Sequence, residues 1–406
     1  HAVSLGAGTL TSSGSYTADG GYNGTAHLAV ASLQAQQPVP LQAGKLEATA
    51  TAQAGAPLKV TASLQALQAG AKPGWLVPVD LQATASLPPA GAAAFDLQGS
   101  DAAKHLQFRA SGHYDLAAGA GKLRFAVPPL EFAGDKLQPV DVAPVVKPWI
   151  TETTGKLALS GHLSWAAGQA PKSDLRLLVE DLSFTAGSLG VAQLNSVIAL
   201  SQIWPPVTAA RQEIAVGVAN LGLPLADGLI GFDLRPDGSA LVQLERLQLA
   251  GGDVTARNIT ARPLEAKMDA VLDVTGVELQ QLLSIGGIEA SASGTLAGHV
   301  PIKLDGETAE IHGGRLEAPG PGIIRYQPKT LPAALQGQDQ GSKLLVSALQ
   351  NLHYKSLWLG LDRAANGETV VGLHVTGANP ELYGGYPVEL NINLTGQLEK
   401  VVRQTL

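Results

Sequence analysis

Along most of this chain apolar and polar residues alternate with a period of two, the mark of strands that bury one face and wet the other. From Lys45 to Gln53, Leu46, Ala48, Ala50 and Ala52 share a face. Leu58, Val60, Ala62 and Leu64 follow, then Val79, Leu81, Ala83, Ala85 and Leu87. Later runs give Leu123, Phe125 and Val127, then Leu157, Leu159, Gly161, Leu163 and Trp165. Towards the end come Leu296, Gly298, Val300, Ile302 and Leu304, then Leu357, Leu359 and Leu361, then Val371, Leu373 and Val375. The last run, "VELNINLTG", sets Val388, Leu390, Ile392 and Leu394 against Glu389, Asn391, Asn393 and Thr395. Gly, Asp, Asn and Pro clusters such as "ADGGYNG", "RPDG" and "ANPELYGGYP" divide the runs and supply turn chemistry.

Helical spacing is rare. It predicts a short helix over residues 278–284 and another in "GSKLLVSALQNL", where Leu344, Leu345, Ala348 and Leu349 align. "APVVKPWITETTG" reads as a short helix or a crossing segment. At roughly 14 residues per strand and turn the chain holds on the order of 25 strands, and at ~4.8 Å each one sheet would run on the order of 100 Å. Sheets of that length curl or split. The expected fold is therefore mainly β: a long, twisted and curled antiparallel sheet with an apolar concave face, plus a few short helices. An array of closed β-sandwiches remains the other reading of the same periodicity. Two features count against it: no boundary recurs every hundred residues or so, and aromatic residues are 4% of the chain.

Composition narrows the function. Hydrophobic residues make up 45% and charged residues 15%, so the apolar content is aliphatic. A net charge of -7 argues against nucleic acid, and no Lys/Arg cluster or stacking aromatic array appears along the chain. There is no Cys, which excludes thiol chemistry and disulfides. No apolar run reaches the ~20 residues of a membrane helix. The opening "HAVSLGAGTL" begins on His1 and reads as part of a longer protein whose membrane anchor would precede it.

Catalytic signals are missing. The nine His show no H-x-H or H-E-x-x-H spacing, and most fall on polar strand faces. There is no G-x-S-x-G and no Walker loop, and Pro319 and Pro321 remove amide donors from the Gly-rich "APGPGIIRY". The expectation is a non-enzyme with no cofactor and no metal site. A structural or adhesive β-protein is one reading that these absences leave open.

Residues 287–326, "GIEASASGTLAGHVPIKLDGETAEIHGGRLEAPGPGIIRY", resemble a hallmark of the YdbH family within the AsmA-like superfamily. The pattern is a G-x-L-x-G-x-x-P strand, a G-x-L turn and G-P-G-x-I-x-Y. The final segment, with "LHVTGANPELYGGYPVELNINLTG", resembles the end of the same family, and residues 222–255 fit it too. The resemblance covers residues 151–406; residues 1–150 share only the alternation and are read as a preceding segment of the same groove. It implies an intermembrane phospholipid transport protein of the Gram-negative periplasm, built as a taco-like β-groove. An N-terminal inner-membrane anchor and a small outer-membrane lipoprotein of the YnbE type are the implied partners. The groove-lining residues are then Leu157, Leu159, Leu163, Leu296, Val300, Ile302, Leu304, Leu357, Leu359, Leu361, Val371, Leu373, Val375, Val388, Leu390, Ile392 and Leu394.

The last strand raises a separate expectation. Residues 388–395 (Val388, Glu389, Leu390, Asn391, Ile392, Asn393, Leu394 and Thr395) contain no Lys or Pro to blunt a free edge. The strand is thus a candidate docking edge for a partner strand, unless "QLEKVVRQTL" caps it as a short helix.

Overall fold

A computed structural model describes residues 3–36, 40–70, 74–147, 150–169, 171–186, 189–202, 205–220, 223–306, 308–328, 340–382 and 384–396. The chain is mainly β, with 27 strands of one antiparallel sheet and three short α-helices among the described residues. It divides into two compact units, residues 1–187 with 194–210, and residues 188–193 with 211–406.

The first unit opens with β1 (Val3–Leu5), β2 (Gly8–Tyr16), β3 (Tyr22–Val30), β4 (Leu33–Ala35), β5 (Leu41–Ala43), β6 (Leu46–Ala52) and β7 (Leu58–Ala69). It continues through β8 (Val79–Leu87), β9 (Ala93–Asp101), β10 (Gln107–Asp115), β11 (Ala120–Phe132), α1 (Pro139–Val142), β12 (Thr151–Trp165) and β13 (Lys172–Ala186). β14 (Leu189–Gln202) falls at the division, and β15 (Val207–Thr208) follows it. The main ladder runs β2–β3–β6–β7–β8–β9–β10–β11–β12–β13, in sequence order apart from the step from β3 to β6. β1, β4 and β5 form a small branch joined to β7.

Sequential antiparallel pairing puts alternate connections at opposite edges. At one edge of this unit lie short hairpins at residues 17–21, 53–57, 88–92, 116–119 and 166–171. At the other lie the described residues of the connections β3–β6, β7–β8, β9–β10 and β11–β12, the last carrying α1 and a 3₁₀ turn, Pro144–Val146. The described residues of 133–150 form a crossing segment: within "APVVKPWITETTG", Pro144–Val146 make the 3₁₀ turn, residues 151–155 already belong to β12, and Pro148 and Trp149 lie outside the described residues. Gln138 fixes it to the sheet: its Nε2 donates to the carbonyls of Ala133 (2.6 Å) and Thr153 (3.0 Å), and Thr153 N–H donates to its Oε1 (2.8 Å).

The second unit holds β16 (Gln212–Asn220), β17 (Pro224–Leu234), β18 (Ala240–Leu249), β19 (Gly252–Arg262), β20 (Lys267–Glu278), α2 (Leu279–Ile285) and β21 (Ala290–Ala292). It ends with β22 (Thr295–Asp305), β23 (Thr308–Glu317), β24 (Gly322–Tyr326), α3 (Gln340–Leu349), β25 (Leu352–Arg363), β26 (Thr369–Ala378) and β27 (Pro387–Gly396). Its ladder runs β16–β17–β18–β19–β20–β22–β23–β25–β26–β27. β21 and β24 pair as an insertion whose β24 joins the start of β25. α2, α3 and this insertion all fall in connections at one edge of the unit. Both helices agree with the sequence expectation to within a turn's end. The strands reach 15 residues in β12 and β13, because bulges carry pairing past a break.

Candidate functional site

The cross-strand registers turn the sequence alternation into continuous apolar rows. In the first unit one row runs Leu10–Leu28–Ala48–Ala62–Ala83–Leu97–Ala110–Phe125–Gly161–Leu175. Leu157, Leu159 and Leu163 lie on the same face, opposite Leu130, Val127 and Leu123 of β11, and all three are half-buried. The face is deepest at the edge of long connections. There Val79, Leu106, Phe132 and Val142 are buried together, with Leu137 and Ala143 of the crossing segment packed over them.

The second unit repeats the gradient on its own face. Leu316–Leu359–Leu373–Ile392 form one row and Gly314–Leu361–Val371–Leu394 the next. Leu296 (0% exposed), Val300 (6%), Leu357 (2%) and Val375 (2%) are fully buried. They share a cluster with Leu279 of α2, Leu349 of α3, Leu352 and Tyr354, against which Leu282, Ile285 and Leu345 also pack. These four expected lining residues therefore lie beneath a helical cover. Ile302, Leu304, Leu359, Leu361, Val371, Leu373, Val388, Leu390 and Ile392 are half-buried. The side chain of Leu394 lies outside the described residues, as does the C-terminal "QLEKVVRQTL".

Specific bonds hold the cover in place. Tyr354 O–H donates to the Ser293 carbonyl (2.8 Å), Ala292 N–H to Gln280 Oε1 (2.9 Å) and Asn379 Nδ2 to the Ser347 carbonyl (2.8 Å). Gly294 takes φ +106 directly above the Tyr354 hydroxyl, where a side chain would be both strained and blocked.

The opposite face is polar in both units. In the second, Glu317, Trp358, His374 and Asn391 stand in register across four strands. The Trp358 and His374 rings stack 3.6 Å apart at 8°, and Arg315 lies 4.2 Å from the Trp358 ring while pairing with Glu317. The sequence shows no such array because its members are dozens of residues apart and only register unites them. His27, His105, His113, His162, His299, His312 and His353 are exposed, as expected; His374 is half-buried in the stack. Among the described residues no group of His, Cys, Asp or Glu could hold a metal ion.

At the chain's last ladder, β27 pairs with β26 in an unbroken ten-residue register. Among the described residues it has no partner along its other side. Its Glu389, Asn391, Asn393 and Thr395 are exposed.

A family model described as YdbH-like, intermembrane phospholipid transport protein YdbH, matches residues 2–404. The chain belongs to that family. The match takes in the N-terminal stretch where alternation had been the sole likeness. No curated protein and no solved structure matches. Membership in the YdbH-like family implies intermembrane phospholipid transport and a place in the cell envelope, and it marks the chain as one of a lipid-transport family rather than an enzyme family. No helix among the described residues is long and apolar enough to cross a membrane.

Proposed function

We propose that this chain is a stretch of lipid-conducting groove that carries phospholipid between the inner and outer membranes across the periplasm. The supporting observation is the set of in-register apolar rows in each unit, unbroken by a charged side chain from Leu10 to Leu175 and from Leu316 to Ile392. Each buried methylene is worth ~0.8 kcal/mol, so an acyl chain of about 15 methylenes needs roughly 12 kcal/mol of apolar contact to leave a bilayer without penalty. Rows of Leu, Val, Ala and Phe supply such contact while the headgroup stays in water. No residue acts as a catalyst; the lipid moves along a track. Residues 1–150 and 151–406 serve as consecutive segments of that groove.

The same proposal includes an inner-membrane anchor on the full protein and a small outer-membrane lipoprotein that pairs with the free side of β27 and lengthens the groove. Residues Val388 to Thr395 form the docking strand.

The test uses a photo-crosslinking residue at Leu359, on the apolar face, and another at Trp358, on the polar face. Leu359 is expected to capture phospholipid and Trp358 far less, with phospholipid also found by mass spectrometry of the purified protein. Equal capture at the two positions, or a protein that purifies without lipid, refutes the groove and leaves a structural role.

A further inference from the structure

The two edges of the first unit differ, and the difference gives a bound lipid a direction. At the edge of long connections the crossing segment covers Val79 and Phe132. Among the described residues, none from the five short hairpins at the other edge belongs to that buried cluster. The apolar face is therefore uncovered on the hairpin side.

That side carries the residues expected where hydrocarbon meets water. The outermost row on the apolar face of β10–β11–β12 is Tyr114–Gly121–Trp165, one step inside the Asp115–Ala120 pair. The two rings lie 6.2 Å apart at 24°, with the indole over Gly121, where any side chain would overlap it. The first hairpin repeats the arrangement with Tyr16 and Tyr22, in register and 5.4 Å apart. Tyr and Trp combine an apolar ring with a polar handle and favour such boundaries. Phe has no polar handle, and the phenylalanines of this face lie further in: Phe95 beside Gly112, Phe125 beside Gly161, and Phe132 under the cover.

Behind the same rim, on the polar face, His113, Lys122, Ser164 and Lys172 form one row, and Ser111, Arg124, His162 and Asp174 the next. Arg124 Nε donates to His162 Nε2 at 3.1 Å. Lys122 and Lys172 form no ion pair with any described residue, a state they share with Lys59, Lys104, Lys303 and Lys355, so both ammonium groups are free to meet an anion. A depression of about 730 Å³ lies over the two rows. A second, of about 510 Å³, continues from Lys122 and Lys172 to Gly121 and Trp165 at the rim. Lys172 is the first residue of β13 and adjoins its turn, and Lys122 is the third residue of β11, so both stand close to the hairpin edge.

We propose that the first unit holds phospholipid with its acyl chains on the apolar face and its phosphate-bearing headgroup at the hairpin edge, between the β10–β11 and β12–β13 turns. Tyr114 and Trp165 form the rim there, and Lys122 and Lys172 reach round it to the phosphate. This rests on the groove reading and adds to it a side of entry and a headgroup site.

Two forms of dioleoyl phosphatidylglycerol test it, one with a diazirine in the headgroup and one with it at the acyl terminus, each loaded into the whole chain and mapped by mass spectrometry. The headgroup probe is expected to label residues 116–119 and 166–171, and the acyl probe the face around Leu123, Phe125 and Leu163. Lys122→Gln with Lys172→Gln is expected to cut headgroup labelling by about fivefold, the effect of losing an exposed ionic contact, with acyl labelling and melting temperature unchanged. Headgroup labelling at residues 102–106 or 133–147, or labelling that ignores the double substitution, overturns the proposal and leaves the groove standing. Acyl labelling absent from the face removes the groove itself. Excess sn-glycerol 3-phosphate separates the two sources of phosphate. Labelling that persists supports a headgroup delivered on lipid; loss of headgroup labelling alone indicates a free-anion site and overturns the proposal.

Discussion

Leu359→Asp places a charge in the middle of the second unit's apolar face. Leu359 is half-buried, with Leu316 and Leu373 beside it across the ladder and Leu357 and Leu361 along its own strand. Losing a half-buried leucine costs roughly 1 kcal/mol of folding stability, half of the ~2 kcal/mol for full burial. Water can still reach the carboxylate when no lipid is present, so the fold tolerates it. An acyl chain passing the site removes that water, and none of the four neighbours can pair with the charge. Burying an unpaired charge costs several kcal/mol. At about 3 kcal/mol, with each 1.4 kcal/mol a factor of ten, transfer slows roughly 100-fold. The assay is movement of a fluorescent phospholipid between donor and acceptor vesicles, with thermal melting alongside. Leu359→Met is expected to transfer normally, as is Ser356→Asp on the exposed polar face. Acidification that protonates the new carboxyl should restore transfer in part. A folded Leu359→Asp protein with unimpaired transfer would refute the idea that lipid crosses this face.

Burial pushes the Tyr354 phenol above its usual value of 10.0, so the fold favours its neutral form. The stability this gives is complete below about pH 10 and is lost as pH rises through the folded value. Tyr354→Phe therefore melts less steeply with rising alkaline pH than the parent, while at neutral pH it loses about 1 kcal/mol with the Ser293 bond; identical alkaline melting curves would refute this. Gly294→Ala, at φ +106 against the Tyr354 hydroxyl, is expected to cost about 1–3 kcal/mol in denaturant titration, and a neutral result would mean the α2 cover is not rigid. Asn391→Pro and Asn393→Pro, made one at a time, should abolish lipoprotein binding where the lost amide faces the open side of β27, and unchanged binding in both removes that strand as the dock. His299→Ala and His374→Ala should leave lipid transfer intact; loss of transfer in either would reveal a ligand role on the polar face.

The strand-rich class, and which side chains share a face, are legible in the chain alone. Period-two alternation is a local property of each strand, and runs such as Val388 to Thr395 show it within eight residues. The sequence also located α2 and α3, since helical spacing is equally local. Catalysis found no foothold there, because the motifs that carry it are short-range patterns and none was present. Features that span strands depend on register, which no single run of residues carries. The Trp358–His374 stack and the Lys122–Lys172 row join residues that the sequence separates by a hairpin or more, and a shift of one residue would dissolve both. The burial of Leu296, Val300, Leu357 and Val375 was likewise invisible, because their alternation matches that of Leu359 and Leu373. What distinguishes the four is the cover of α2, α3 and Tyr354, which comes from connections rather than strands. The Tyr114–Trp165 rim left one sequence signal, an aromatic residue bordering a Gly-rich or Ala-rich turn. Its meaning emerged once antiparallel alternation had gathered the short hairpins of the first unit at one edge and the long connections at the other. A strand's sequence encodes the face each residue takes; the edge on which its turn falls is set by the strand's place in the ladder.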